Sequence, residues 1–147
     1  MVTDERFMRL ALQEAEKAAE EGEVPIGAVI TVNDRIIAKA HNMTERLKDV
    51  TAHAEIQAIT SASEALGGKY LTDCTIYVTV EPCAMCAAAL GWAQIGRVVY
   101  AAPDQKRGFS TLYKTERGPF HPKTLIENGL LGNEAAELIQ DFFRKRR

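Results

Sequence analysis

Residues 74–92 read CTIYVTVEPCAMCAAALGW. From Cys74 to Val80 the residues are largely β-branched or aromatic, the most strand-like run in the chain. Glu81-Pro82 ends the strand, and Pro82 suits a helix start because its missing N–H costs nothing there. Cys83 to Trp92 then reads as a helix of small apolar residues. The unit is strand, tight turn, helix, with two cysteines on the helix's first turn.

Working back toward the N-terminus, Thr51 is placed to cap a helix that runs to about Leu66, with Gly67-Gly68 stopping it. Asn42 to Asp49 is polar and reads as a loop. Ile26–Val32 and Arg35–Ala40 are two strands joined by a two-residue hairpin turn at Asn33-Asp34. Before them, Phe7, Met8, Ala11, Leu12, Ala15, Ala18 and Ala19 recur at helical spacing between Asp4 and Glu21, and Gly22 closes that helix. Toward the C-terminus, Ile95–Ala101 is a fourth strand and Lys123–Glu127 a short fifth. Between these strands, residues 103–122 hold three prolines and two glycines and read as loop with one short helix. Asn133 opens a final helix. Strands alternating with helices after an opening hairpin imply an α/β fold with one mixed five-stranded sheet and helices on both faces, a three-layer α/β/α arrangement.

The 147 residues suit one domain, 1–147. Composition is ordinary for a globular chain, with 46% hydrophobic and 26% charged residues, which excludes a disordered or fibrous reading. The longest apolar run, Cys83–Ala93, is too short to span a bilayer, and Asp4 and Glu5 precede any apolar stretch, unlike a secretory signal. The expectation is a cytoplasmic protein without membrane contact and with reduced thiols. Net charge is −2, unevenly spread: Arg144, Lys145, Arg146 and Arg147 are all basic, and the rest of the chain carries 14 basic against 20 acidic residues. Such a tail is either a solvated helix end or a contact for a polyphosphate such as nucleic acid.

An odd count of three cysteines, Cys74, Cys83 and Cys86, argues against a disulfide scaffold. His53, Cys83 and Cys86 offer one imidazole and two thiolates, a set suited to tetrahedral Zn²⁺. Three protein ligands leave a fourth position open, the mark of a catalytic zinc. Glu55, two residues after His53, reaches the same place if the metal lies beyond the helix N-terminus, where it serves as general acid/base without binding the ion. Cys74 begins a core strand and reads as a small buried hydrophobe. His41 reads as a loop or core histidine, His121 as a surface residue, and Trp92 as core or dimer interface.

The combination His53-Ala54-Glu55 with Pro82-Cys83-Ala84-Met85-Cys86 resembles the zinc nucleobase deaminases of the cytidine deaminase-like superfamily. More closely, the chain resembles the bacterial tRNA-specific adenosine deaminases. The likeness extends through Val24–Val29, His41-Asn42, Asp49–Ile56, Glu81–Cys86, Ile95–Tyr100, Asp104 with Lys106, and Asp141–Arg144. It departs at residues 107–119, where a run of small residues is replaced by RGFSTLYKTERGP. The resemblance implies a cytidine deaminase-like fold, Zn²⁺ on His53, Cys83 and Cys86, and proton shuttling by Glu55. It implies that Asn42 contacts the target nucleotide, that a backbone N–H near Ala54 or Ala84 steadies the base, and that Asp104 and Lys106 meet the anticodon loop. It also implies that Phe142, Phe143 and the basic residues after them, Arg144 and Arg146 among these, meet RNA; of the two phenylalanines, one is expected to pack into the core and the other to stack or brace the loop.

The implied reaction converts adenosine to inosine in a tRNA anticodon loop, at the wobble position, with release of ammonia. The resemblance also implies a homodimer packed through the helices near the zinc motif, to which the small apolar run of residues 87–92 is suited; the alternative is a helix buried wholly within one sheet layer. Two alternatives stay open: a deaminase of a free base or nucleoside of the guanine or cytosine type, and an RNA-binding module whose zinc is structural.

Overall fold

The structure is a computed structural model and describes residues 2–146. Helix α1 (Val2–Glu20) leads into a hairpin of β1 (Gly27–Val32) and β2 (Arg35–His41). Asn33 and Asp34 both take left-handed φ, 50° and 60°, which matches the hairpin twist and confirms the two-residue turn. Then come α2 (Thr44–Leu47), α3 (Ala54–Leu66), β3 (Cys74–Val80), α4 (Ala84–Trp92), β4 (Arg97–Ala102), α5 (Phe109–Tyr113), β5 (Leu125–Asn128) and α6 (Gly132–Lys145).

The strands form one mixed sheet in the order β2-β1-β3-β4-β5. β1 pairs antiparallel with both β2 and β3, while β3–β4 and β4–β5 are parallel. Alternate residues of each central strand enter different cores, as the two-residue strand period requires. Ala28, Ile30, Ile76, Val78, Val98 and Tyr100 face α3, α4 and α5. Val29, Tyr77, Val99 and Ala101 face α1 and α6. The expected three layers are therefore present. Gly27 lets α1 lie close to β1: a Cβ there would stand 2.0 Å from the Ala11 carbonyl oxygen. Among the described residues, no helix is long and apolar enough to cross a membrane.

Several expectations shift, among them the fourth strand, which runs Arg97–Ala102 rather than from Ile95. The loop 42–49 contains the short helix α2, because the buried Glu23 carboxylate accepts the N–H groups of Glu45 (3.0 Å) and Arg46 (2.7 Å) at its start. Thr51 does not cap α3; its hydroxyl bonds Asp49 at 2.7 Å, and His53 is the N-cap residue. The fifth strand begins at Leu125, because Thr124 turns away to donate its hydroxyl to the Ile95 carbonyl at 2.6 Å. Helix α6 opens at Gly132 after Leu131, which takes a left-handed φ of 59°.

Candidate metal centre and active site

His53 and Cys83 are the N-cap residues of α3 and α4, in extended conformation, and neither side chain bonds its own helix. Each is thus free to point past its helix end, toward the other. Cys86 lies in the first turn of α4 and completes the cluster. His53 Nδ1 stands 3.7 Å from Cys83 Sγ and 3.4 Å from Cys86 Sγ. The three donor atoms lie within 4.8 Å of one another. Cys74, buried at the start of β3, takes no part in this cluster.

The donor set is chemically ready for a soft divalent cation. A hydrogen bond from Cys86 draws the Cys83 thiol down to about 4, and His53 adds to the effect. The same bond, with burial, pushes Cys86 up, while the contact with Cys83 raises His53. The three residues therefore share protons that a cation displaces. One imidazole and two sulfurs at this spacing fit tetrahedral zinc with one position left for water or substrate.

Glu55 is in the first turn of α3, only 4% exposed, and not a member of the donor cluster. Burial pushes its carboxyl up to about 7, against the pull of its own backbone N–H. A carboxyl poised near neutrality can both accept and return a proton.

The cluster lies in a cleft of about 1240 Å³. Asn42, Ala54, Asp104, Lys106 and Phe143 line it together with His53, Glu55 and Cys83. Asn42 is buried; its amide donates to the Val24 carbonyl and accepts from Thr44 N–H, both at 3.4 Å. Ala54 lines the cleft whereas Ala84 does not. Arg144 and Arg146 lie outside the lining. Arg144 pairs with Asp141 at 2.7 Å, and Arg146 donates to the Gly22 carbonyl at 2.8 Å and stacks on Phe142. Phe142 is half-buried in this stack and Phe143 is 47% exposed on the cleft, so neither phenylalanine enters a core. Arg147 lies outside the described residues.

His41 is no member of the metal cluster. Its Nδ1 meets Glu14 at 3.1 Å and its Nε2 meets Glu21 at 3.0 Å, fastening the end of β2 to α1 just before Asn42. His121 is a loop residue whose Nδ1 accepts Lys123 N–H. Trp92 is 84% exposed, so it is no core residue. The unusual segment 107–119 is anchored by buried Phe109, which packs edge-on against Tyr100 and Phe120. Sequence reasoning missed two buried acids. Glu23 holds α2 beside Asn42, and Glu81 holds the loop of Asp104 and Lys106. Their backbone partners lie 22 to 29 residues away, a separation that leaves no local pattern.

A family profile for the cytidine and deoxycytidylate deaminase zinc-binding region matches residues 1–102. A tRNA-specific adenosine deaminase of Agrobacterium fabrum is 47% identical over 143 residues, 96% of this chain and 94% of that protein. The chain belongs to the tRNA-specific adenosine deaminase branch of this zinc deaminase family. A solved structure from a study of A-to-I editing by tRNA:A34 deaminases at the wobble position of transfer RNA superposes with a TM-score of 0.83. That chain is 45% identical, with 90% of this chain and 98% of the other covered. The guanine deaminase of Bacillus subtilis is 38% identical over 75% of this chain and 74% of its own, with a TM-score of 0.68. This zinc deaminase shares the five-stranded mixed sheet and helical layers of its family.

Proposed function

We propose that this zinc deaminase converts adenosine to inosine in the anticodon loop of a tRNA, at the wobble position, by hydrolysis that releases ammonia. The observation that carries the chemistry is the buried Glu55 carboxyl beside the His53, Cys83 and Cys86 donors in one cleft. The named relatives, matched over nearly their full length, support the substrate.

In this reading His53, Cys83 and Cys86 hold zinc. The bound ion supplies Lewis-acid activation of water beside Glu55. Glu55 accepts a proton from the attacking water and passes it to ring nitrogen N1 as the new C6–O bond forms. Glu55 then takes the proton of the new C6 hydroxyl and delivers it to the amino group. The C6–N bond then breaks and ammonia leaves. The Asn42 amide, fixed by Val24 and Thr44, holds the target nucleotide. The Ala54 N–H, in the first turn of α3 where a helix has no acceptor for it, donates to the base. Asp104, Lys106 and Phe143 meet the flanking loop, and Arg144 and Arg146 meet phosphates. The base must leave its stack to enter the cleft, which suits a single-stranded loop.

The same proposal includes a cytoplasmic homodimer. Met85, Ala88, Ala89 and Trp92 form an apolar outward face on α4, with Met85 and Trp92 exposed. Sedimentation as a monomer at micromolar concentration would count against it. The likeness to a guanine deaminase favours a second reading, action on a free base. A purely structural zinc leaves the buried Glu55 without a role. Zinc-loaded protein offered tRNA, adenosine, cytidine and guanine side by side decides between these readings. The proposal expects product from tRNA alone. Turnover of guanine or cytidine with tRNA untouched would overturn the substrate and leave the zinc deaminase standing.

A further inference from the structure

Glu81 sits between the last residue of β3 and Pro82, in the turn that leads to the metal ligand Cys83. It is 4% exposed. Its carboxylate meets no cation among the described residues; its partners are on the loop that follows β4 and at the start of α5. One oxygen accepts Asp104 N–H at 3.1 Å. The other accepts Ser110 N–H at 2.9 Å and the Ser110 hydroxyl at 2.7 Å. The neighbouring backbone adds a second seam. Phe109 N–H donates to the Pro82 carbonyl at 2.9 Å, and Cys83 and Gly108 form a single antiparallel bridge. Gly108 is required at this spot, because a Cβ would lie 2.3 Å from the Glu81 carboxyl carbon and 2.5 Å from the Asp104 carbonyl oxygen.

The strand end that carries Cys83 and the loop that carries Asp104 and Lys106 are therefore stitched into one unit. The loop itself is exposed at Lys106 and Arg107, and Asp104 to Arg107 line one rim of the cleft. An exposed loop of this kind samples many conformations unless its backbone donors are satisfied from inside. Asp104 closes its own turn by accepting Lys106 and Arg107 N–H groups, and among the described residues it is Glu81 that ties that turn's first residue to the floor of the cleft.

We infer that Glu81 is a positioning residue that sets the Asp104–Lys106 rim for capture of the tRNA loop, while the chemistry at Glu55 proceeds independently of it; this rests on the function proposed above. A glutamine cannot replace it. Whichever way the amide turns, its NH₂ group faces an N–H donor, from Asp104 or from Ser110, and one bond is broken. Hydrogen bonds to a charged acceptor are among the stronger ones, so removal of one corresponds to roughly tenfold or more in affinity.

The test compares Glu81→Gln, Ser110→Ala and Ser110→Thr with the wild type, all zinc-loaded. Two readouts are taken: steady-state kinetics on tRNA, and hydrogen exchange of the Asp104, Phe109 and Ser110 amides. Glu81→Gln should raise KM for tRNA about tenfold or more. Ser110→Ala, which removes one hydroxyl bond from the Glu81 anchor, should raise KM about threefold with kcat within about twofold and zinc unchanged. Ser110→Thr, which restores the hydroxyl, should return KM toward wild type. All three amides should exchange faster in Ser110→Ala. An unchanged KM with unchanged exchange overturns the inference. So does a fall in kcat with KM constant, or a loss of zinc in Ser110→Ala. If the wild type itself leaves tRNA untouched, the function proposed above fails, and unchanged amide exchange in Ser110→Ala still separately overturns the stitch.

Discussion

At the scale of residues, hydrogen bonding rather than burial separates the two acids nearest the metal donors by role. Burial lifts the Glu55 carboxyl toward neutrality and leaves it able to trade protons, outweighing its own backbone N–H, the nearby His53 and a hydrogen bond from Cys86, which favour the charge. Glu81 is equally buried but fully engaged by N–H and O–H donors, and serves as an anchor. Glu55→Ala should therefore keep about one zinc per chain and lose roughly 10²–10⁴-fold in turnover, the usual worth of a positioned acid/base. His53→Ala, Cys83→Ala and Cys86→Ala should lose metal and activity together. Metal content and tRNA turnover measured on the same samples check both statements. The metal donors and Glu55 were legible in the sequence because their chemistry is rare and their spacing local. Glu23 and Glu81 were not, because an acid bonded to distant backbone looks in sequence like any other glutamate.

At the scale of elements, the alternation of strands with helices correctly implied helices on both faces of the sheet, and the Asn33-Asp34 turn was legible from residues that tolerate left-handed φ. Helix α2 and the true start of α3 were not legible. The first depends on Glu23, and the second on the need to leave the His53 side chain free for the cluster rather than for capping. Helix α1 is bound to the far side of the sheet by a charged network of its own. Arg97 makes two bonds to Asp4, at 2.9 and 2.7 Å, the Tyr77 hydroxyl donates to Asp4 at 2.7 Å, and Arg97 also pairs with Glu127. The Arg97 guanidinium holds the Asp4 carboxyl down to about 2, below its ordinary 3.8. A carboxyl depressed on folding stabilises the fold above its unfolded value, and that contribution is lost as pH falls through the folded one. Asp4→Asn should therefore lower the thermal midpoint at neutral pH, by on the order of 1–2 kcal/mol of stability. The gap to wild type should close between about pH 4 and pH 2. Melting both proteins across that range checks it, and a pH-independent gap would refute the assignment.

At the scale of the whole molecule, the acidic body and basic tail oppose each other in any encounter with RNA. The body without the four C-terminal basic residues carries a net charge of −6, which repels phosphate at long range. Arg144 and Lys145 are exposed at the end of α6, and Arg146 is fastened to Gly22 just past the end of α1. Neutralising Arg144, Lys145, Arg146 and Arg147 together should weaken tRNA binding and flatten its salt dependence, by roughly 0.7 in the log–log slope for each single-strand phosphate no longer neutralised. Zinc content should not change. Binding titrations across salt concentrations read this directly, and a variant with the wild-type slope would make the tail a solvated helix end.

The most direct test of the central claim is to incubate zinc-loaded protein with tRNA in oxygen-labelled water, digest the tRNA to nucleosides, and weigh them. Hydrolytic deamination predicts inosine carrying one labelled oxygen in place of the departed amino group. It should map to the first anticodon position and be almost absent with Glu55→Ala. Unlabelled inosine, or tRNA without inosine beside a turned-over free base, would contradict the account.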